Sequence, residues 1–189
     1  PNDHCELLES LNMPWVTITH VVDTISVLST AGSPLYLFKV DMRRAYQQLF
    51  MQESQTWRQH LHWCWDDDTG THCGFLRDQR MQWGAKASGS LYHRGVTTLI
   101  VKYVTDRLMK LWLPKIQCPK IRQWSADRLA AGLDGVQAMP ASVDGFLDDF
   151  FFIISGTETD RSRAHHIIME AFKFLGFTVY SSKLEKEGT

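Results

Sequence analysis

The sequence predicts an α+β fold whose strands and helices follow the order βαββαβ. Short, mainly apolar runs at residues 35–41, 143–155 and 176–180 have the length and composition of strands. Between them, apolar residues recur at helical spacing over residues 88–111 and 161–175. The run at 143–155 contains two apolar halves, so it predicts a hairpin that supplies the two central strands.

The segment before the first strand predicts an amphipathic helix. Apolar side chains recur at helical spacing over residues 15–28, and Gly32, Ser33 and Pro34 then break the pattern. The strand that follows ends at Asp41. A carboxylate at the end of a buried strand can face a cleft, so Asp41 is the first candidate functional residue.

Two further segments complete the predicted architecture. Strand-like runs at 61–65 and 71–76 flank residues 66–70 (DDDTG), which predicts a hairpin with the triple aspartate in its turn. Residues 114–142 hold three of the six prolines. That composition is typical of an insertion, with one short helix predicted near residues 126–133.

The composition predicts one globular domain without a membrane segment. The 189 residues are 44% hydrophobic and 12% aromatic, which is enough for a packed core. No apolar run approaches the roughly 20 residues that cross a bilayer, and the N-terminus lacks a signal-peptide pattern. We therefore expect an intracellular protein, cytoplasmic or nuclear and not secreted. Because the chain opens at Pro1 without a methionine, we also expect a piece of a longer protein.

The cysteine spacing argues against a disulfide scaffold. Four cysteines are spread along the chain without a CxxC pair, which predicts reduced thiols. One alternative is a zinc site, because His62, Cys64, His72 and Cys73 would lie near one another on the 61–76 hairpin. Neighbouring strand residues point to opposite faces, however, so His72 and Cys73 should not bind the same ion.

The charge is unevenly distributed along the chain. The formal net charge is −1, but residues 39–120 carry 13 Lys/Arg against 7 Asp/Glu, and the segments on both sides are acidic. A basic middle segment is compatible with a nucleic-acid partner.

Three aspartates are expected to meet at one end of the sheet. In a βαββαβ arrangement the first strand and the central hairpin are neighbours in one sheet, so the end of that strand lies beside the hairpin turn. This places Asp41 near Asp148 and Asp149. Three neighbouring carboxylates repel one another unless a divalent cation neutralises them, and Mg²⁺ prefers oxygen ligands. Two such ions can stabilise both the attacking and the leaving oxygen of a phosphoryl displacement, so the trio predicts nucleotidyl transfer. An isolated Asp-Asp pair is usually a solvated turn, but here apolar residues embed it in a buried hairpin.

Four segments resemble, in order, the palm motifs A to D of reverse transcriptases. They are residues 39–46 (KVDMRRAY), 82–88 (QWGAKAS), 146–149 (FLDD) and 175–177 (LGF) with Lys183. The similarity covers roughly residues 16–189. Within the family the chain most resembles retrotransposon enzymes of the tyrosine-recombinase, DIRS-like group or a related LTR-type element, because of the sequences LDDFF after Phe146 and KLEKEGT at the end.

The resemblance implies the ferredoxin-like palm of a right-hand polymerase with part of the fingers. Residues 1–34 would be an N-terminal fingers or linker segment. Residues 35–189 would be the palm, with a fingers hairpin at about 57–82 and an insertion at about 114–142. A thumb, and an RNase H or recombinase domain of the same polyprotein, would lie beyond Thr189.

The implied activity is that of an RNA-directed DNA polymerase. Asp41, Asp148 and Asp149 would be the catalytic residues that hold two Mg²⁺ ions, with Mn²⁺ as a possible substitute. The partners would be an RNA or DNA template with its primer and deoxynucleoside triphosphates. Two alternatives remain open: an RNA-dependent RNA polymerase, and a catalytically degenerate scaffold that binds nucleic acid.

The resemblance also implies substrate contacts. Tyr46 matches the aromatic gate that excludes a 2′-hydroxyl, or is a core aromatic residue. Trp83 and Gly84 match the motif B turn that contacts the nascent base pair. Lys183 matches the motif D lysine that assists the pyrophosphate leaving group, and Arg58 could bind the triphosphate through its guanidinium fork.

A second group of basic residues is expected to contact nucleic acid. Arg77, Arg80 and Lys86 are candidates for template or primer phosphates. Two departures from the family pattern affect the same region of motif B, where Gln82 and Gly89 stand in place of prolines.

Overall fold

The described part of the chain has a mixed α+β architecture with two small antiparallel sheets, which confirms the predicted α+β class. The computed structural model describes residues 16–58, 60–82 and 88–180. They form two compact units. Described residues of the first unit are 44–58, 60–82 and 88–92, and those of the second are 16–43 and 93–180.

The second unit is built on a sheet of three strands, β1 (Leu35–Asp41), β4 (Ala141–Phe146) and β5 (Asp149–Ser155). Their order in the sheet is β1-β5-β4. Both pairings are antiparallel, and β4 and β5 form the predicted hairpin. The apolar run of β5 is buried between its two neighbours and the helices, as expected for a central strand.

The predicted strand at 176–180 appears as one isolated bridge within the described residues. Met42 and Val179 form this antiparallel bridge. Two backbone hydrogen bonds flank it, from Arg43 N–H to the Thr178 carbonyl at 2.9 Å and from Tyr180 N–H to the Asp41 carbonyl at 3.0 Å. The chain therefore returns to the free edge of β1, although the pairing is shorter than the sequence predicts.

Helices account for most of the remaining described chain. Five α-helices are present in these residues: α1 (Ile18–Ser29), α2 (Ser88–Tyr92), α3 (Thr98–Arg107), α4 (Pro119–Ala130) and α5 (Glu158–Phe174). The helix predicted at 88–111 is interrupted by two π-helical segments, His93–Thr97 and Leu108–Trp112. The helix predicted near residues 126–133 begins earlier than expected, at Pro119. Proline is favoured in the first turn of a helix, which explains this start.

The core of the second unit lies between the sheet and helices α3 and α5. Phe150 packs edge-on against Phe172 with ring centroids 5.2 Å apart, and both are fully buried. The indole N–H of Trp112 donates to the Asp160 carbonyl at 2.8 Å, which satisfies its polar atom inside the core. The other fully buried apolar side chains of this layer are Ile100, Val104, Leu108, Phe152, Ile154, Ala164 and Ile168.

The first unit contains the second hairpin, β2 (His60–Asp67) with β3 (Gly70–Arg77). The triple aspartate was predicted to form its turn, but Asp66 and Asp67 belong to β2 and only Asp68 lies in the turn with Thr69. The Asp67 carboxylate accepts hydrogen bonds from the backbone N–H and the hydroxyl of Thr69, at 2.8 and 2.6 Å. Because these bonds satisfy its carboxylate at the turn, Asp67 can occupy the last position of β2.

Cys64 and Cys73 form a disulfide across this hairpin, so the prediction of reduced thiols was wrong for this pair. The two residues are direct partners in the register of β2 and β3. Only the register, which the spacing of the cysteines does not reveal, brings the two sulfur atoms together. Among the described residues Cys118 is the free cysteine.

Among the described residues, no helix has both the length and the apolar character that crossing a membrane requires.

The N-terminus of α5 yields a stability prediction. The Asp160 carboxylate is fully buried and accepts hydrogen bonds from the Thr157 hydroxyl at 2.7 Å and the Gln117 N–H at 3.0 Å. Asp160→Ala should lower the free energy of unfolding by about 2–3 kcal/mol, because it removes one half of the capping box that Asp160 forms with the N-cap Thr157 and leaves buried donors unpaired. Urea denaturation measures the change.

The control is Glu158→Ala, in the first turn of the same helix. The Glu158 side chain is exposed, and its loss should change stability by less than about 0.5 kcal/mol. Equal losses in the two variants would contradict the role assigned to Asp160.

Candidate functional site

The three candidate aspartates lie together at one end of the three-stranded sheet. Asp41, the last residue of β1, pairs directly with Asp149, the first residue of β5. Asp148 lies in the turn just before Asp149, and its carbonyl accepts a hydrogen bond from Met42 N–H at 3.3 Å. Directly opposed residues of an antiparallel pair share a face of the sheet, so the carboxylates of Asp41 and Asp149 are neighbours.

The turn that carries Asp148 has an unusual backbone. Only Leu147 and Asp148 separate β4 from β5. Leu147 has a φ of 54°, in the left-handed region that a branched apolar residue rarely adopts. Such a conformation costs about 1–3 kcal/mol and persists where surrounding contacts impose it.

The π-helical segment His93–Thr97 supplies those contacts. The Thr97 hydroxyl donates to the Leu147 carbonyl at 2.5 Å. His93 Nδ1 accepts a hydrogen bond from the Leu147 N–H at 3.4 Å, and both His93 and Thr97 are buried. The peptide groups on both sides of Leu147 are thus held by one turn of helix, which fixes the position of Asp148.

Gly145 allows this segment to approach the hairpin. A Cβ atom at Gly145 would lie 2.5 Å from the Thr97 methyl group and 3.2 Å from the Val101 side chain. Any larger residue would push the helix away from β4. The absence of a side chain at Gly145 therefore lets the His93–Thr97 segment come close enough to bond the Leu147 backbone.

The electrostatics of the site are those of crowded carboxylates. Burial raises the pKa of Asp148, and the negative charges of Asp149 and Asp41 raise it further. Lys39 opposes this effect: its ammonium group lies 2.8 Å from the Asp149 carboxylate. Lys39 and Asp41 are two apart on β1, so they share the face that Asp149 occupies.

Tyr46 and Arg58 belong to the first unit. Tyr46 is buried and packs against Tyr92, with ring centroids 4.8 Å apart. Its proposed role at the incoming sugar stays a prediction. Arg58 ends the short helical segment Glu53–Arg58, and its side chain lies outside the described part of the chain.

Two of the candidate phosphate contacts are exposed in the first unit. Arg77 ends β3. Arg80 donates to the Gln47 carbonyl at 2.6 Å and stacks over Phe50 at 4.6 Å from the ring centroid, so part of its guanidinium is already engaged. Trp83, Gly84, Lys86 and Lys183 lie outside the described residues, and their roles stay predictions.

Sequence reasoning missed the residues that support the aspartates. Lys39 could have been found, because its spacing of two from Asp41 on a strand places both on one face. Nothing in the sequence marks His93 or Thr97, because their partner is the backbone of Leu147, which is about 50 residues away in the chain.

A polar network around Asp144 on β4, which is buried, was also missed. The Asp144 carboxylate accepts a hydrogen bond from the Ser142 hydroxyl at 2.6 Å and lies 3.2 Å from His20 Nε2. His20 is on α1 and Asp144 is on β4, so the network attaches the first helix to the edge strand of the sheet.

No protein-family model and no curated protein matches the chain. The structure itself provides the register that brings Asp41 opposite Asp149 at the end of the sheet.

Asp148→Asn should change how stability depends on pH. Because the folded-state pKa of Asp148 lies above its ordinary value of 3.8, the unfolded chain loses this proton first as the pH rises. Below pH 3.8 the Asp148 carboxyl is protonated in both the folded and the unfolded chain, so its ionisation contributes no difference in stability between wild type and variant. Above the folded pKa, in a buffer without divalent cations, the variant should be the more stable protein. Thermal unfolding from pH 3 to pH 8 measures the difference.

Asp127→Asn on the exposed surface of α4 is the matched control, because it removes the same charge. A stability gain at neutral pH that is the same in both variants would show that net charge, and not the site, is responsible.

Thr97→Val should weaken the turn. The change keeps the shape of the side chain but leaves the Leu147 carbonyl without its buried donor, which should cost about 1–3 kcal/mol of unfolding free energy. Thr98→Val, at the neighbouring position, removes a hydrogen bond to the His93 carbonyl at 3.0 Å. Thr98 is exposed, so water can replace that bond and the change should cost less than Thr97→Val. Chemical denaturation of the two variants decides whether the hydroxyl of Thr97 holds the turn.

Proposed function

We propose that the chain is the palm, with part of the fingers, of a reverse transcriptase that adds deoxynucleotides to a primer 3′ end. The observation that carries this proposal is the direct pairing of Asp41 with Asp149 at the hairpin tip that holds Asp148. The order of segments across the second unit is 176–180, β1, β5, β4, with all pairings antiparallel. That order agrees with a ferredoxin-like palm.

The donor set fits Mg²⁺. The three aspartates supply carboxylate oxygens, which this ion prefers. Burial raises the pKa of Asp148, and the charges of Asp149 and Asp41 raise it further. A bound cation would stabilise the ionised carboxylate against both effects. Asp41 and Asp148 would hold the ions, and Asp149, paired with Lys39, would accompany them. When bound, two such ions stabilise the attacking and leaving oxygens of an in-line phosphoryl transfer.

The chain's own residues contribute position and charge. The Met42–Asp148 backbone hydrogen bond and the paired strand ends hold the carboxylates of Asp41 and Asp148 at fixed positions. Lys39 orients the Asp149 carboxylate by an ion pair. His93 and Thr97 hold the Leu147 peptide in a conformation that it would not adopt alone. Preorganised groups of this kind need no rearrangement when charge develops.

Primer extension tests the proposal. The wild-type chain is incubated with an RNA template, an annealed DNA primer, deoxynucleoside triphosphates and Mg²⁺. Asp148→Asn should lower extension by at least about 100-fold, the scale on which a lost electrostatic contact lowers kcat. Asp127→Asn, with the same charge change on α4, should extend normally.

Two further measurements separate the alternatives. Extension with ribonucleotides in preference to deoxynucleotides would favour an RNA-dependent RNA polymerase. Mn²⁺ binding, followed by electron paramagnetic resonance, should be lost in Asp148→Asn and retained in Asp127→Asn. No extension by the wild type together with primer-template binding would favour the degenerate scaffold.

A further inference from the structure

Three potential metal ligands share one face of the β2–β3 hairpin. His62 and Cys64 are two apart on β2, and Cys73 lies directly opposite Cys64 on β3. Their nearest ligand atoms all lie within 4.8 Å of one another, and His62 Nε2 is 3.5 Å from Cys64 Sγ. We call His62, Cys64 and Cys73 the cysteine face.

His72 is excluded from this group although it neighbours Cys73. Its Nε2 lies 3.0 Å from an Asp67 carboxylate oxygen and 2.8 Å from the Thr69 hydroxyl. Its ring stacks on Trp65, with centroids 5.4 Å apart. The alternation of side chains along β3 thus sends His72 to the opposite face of the hairpin.

We propose that the cysteine face becomes a Zn²⁺ site when the Cys64–Cys73 disulfide is reduced. A tetrahedral ion with Zn–S near 2.3 Å and Zn–N near 2.0–2.1 Å requires its sulfur and nitrogen ligands about 3.6 Å apart. The 3.5 Å between His62 Nε2 and Cys64 Sγ already meets this requirement. Two thiolates and one imidazole form a ligand set that suits zinc, with water in the fourth position.

Disulfide formation and zinc binding exclude each other at this site. Two thiolates on one tetrahedral zinc ion lie about 3.8 Å apart, whereas bonded sulfur atoms are about 2.05 Å apart. Breaking the bond frees both sulfur atoms to separate by side-chain rotation. The oxidation state of the cysteines therefore decides whether a covalent bond or a metal ion links the two strands.

A cellular dithiol is the reductant that we infer for the Cys64–Cys73 disulfide. The dithiol becomes a disulfide, and its two electrons and two protons convert the Cys64–Cys73 bond into two thiols. Zinc then binds the two thiolates and the neutral His62 imidazole, and the two thiol protons are released. Because the ligands must be deprotonated, zinc affinity should fall as the pH is lowered.

The cysteine face is open to solvent, and a neighbouring ring holds one of its ligands in place. His62, Cys64 and Cys73 are all exposed, so an ion can reach them from solvent. The Phe75 ring stacks on the His62 imidazole at 4.9 Å and holds its plane beside the sulfur atoms. A hairpin of two strands has little stability alone, so a link of either kind keeps β2 and β3 paired.

Cobalt titration tests the proposal. The chain carries Cys5→Ser and Cys118→Ser so that Cys64 and Cys73 are its only thiols. Half of the sample is reduced with a trialkylphosphine, which becomes the phosphine oxide with oxygen from water, and half stays oxidised. The reduced sample should bind one Co²⁺ with thiolate-to-metal charge-transfer absorption, and one Zn²⁺ should displace it. The oxidised sample should show no such absorption.

Three variants assign the ligands. Cys73→Ser should abolish the charge-transfer absorption. His62→Ala should weaken binding by at least about tenfold, because even a hydrogen-bond partner of a metal ligand is worth about 10–100-fold in affinity. His72→Ala is the matched control and should bind as the parent does. Circular dichroism checks that every variant is folded.

Three results would overturn the proposal. The first is a reduced, folded parent that shows no charge-transfer absorption with Co²⁺, which would leave Cys64–Cys73 as a structural disulfide. The second is absorption that persists in Cys73→Ser. The third is a loss of affinity in His72→Ala as large as that in His62→Ala.

Discussion

The antiparallel register of β1 and β5 determines which side chains meet at the acidic end of the sheet. It places Asp41 opposite Asp149 and sets Lys39 on the same face, within ion-pair distance of Asp149. Because side chains alternate along a strand, a slip of one residue would send Asp41 to the opposite face. The core-facing residues of β1 oppose such a slip. It would expose Val40, which is buried, and would separate Phe38 from Phe152, whose rings stack with centroids 4.8 Å apart.

The register alone does not position Asp148, which belongs to the turn. There the backbone is forced into a left-handed conformation at Leu147, and a π-helical segment holds it through His93 and Thr97. Segments of π-helix are rare in proteins as a whole, but those that occur often lie at functional sites. The conformation of Leu147 and the repulsion between the carboxylates both lower the stability of the fold. In proteins generally, such unfavourable arrangements cluster at functional sites.

Much of this arrangement followed from local patterns in the sequence. The apolar runs predicted β1 and the β4–β5 hairpin, and an aspartate at a strand end beside an Asp-Asp turn predicted their meeting point. The supporting contacts could not be predicted, because they join backbone groups to side chains far apart in the chain, as Thr97 joins Leu147. The Cys64–Cys73 disulfide was not predicted for a related reason. It depends on the register of a hairpin whose turn is shorter than the sequence suggested.

The second π-helical segment, Leu108–Trp112, explains a feature of the core. Ile100, Val104, Leu108 and Trp112 are all fully buried at intervals of four residues. In a regular α-helix of 3.6 residues per turn, such a row drifts around the axis by about 40° at each step. A wider π turn reverses the drift and keeps Trp112 directed at Asp160. Deletion of one residue here would turn Trp112 by about 100° relative to α3 and break its bond to the Asp160 carbonyl. The length of this stretch is therefore constrained as well as the identity of its buried residues.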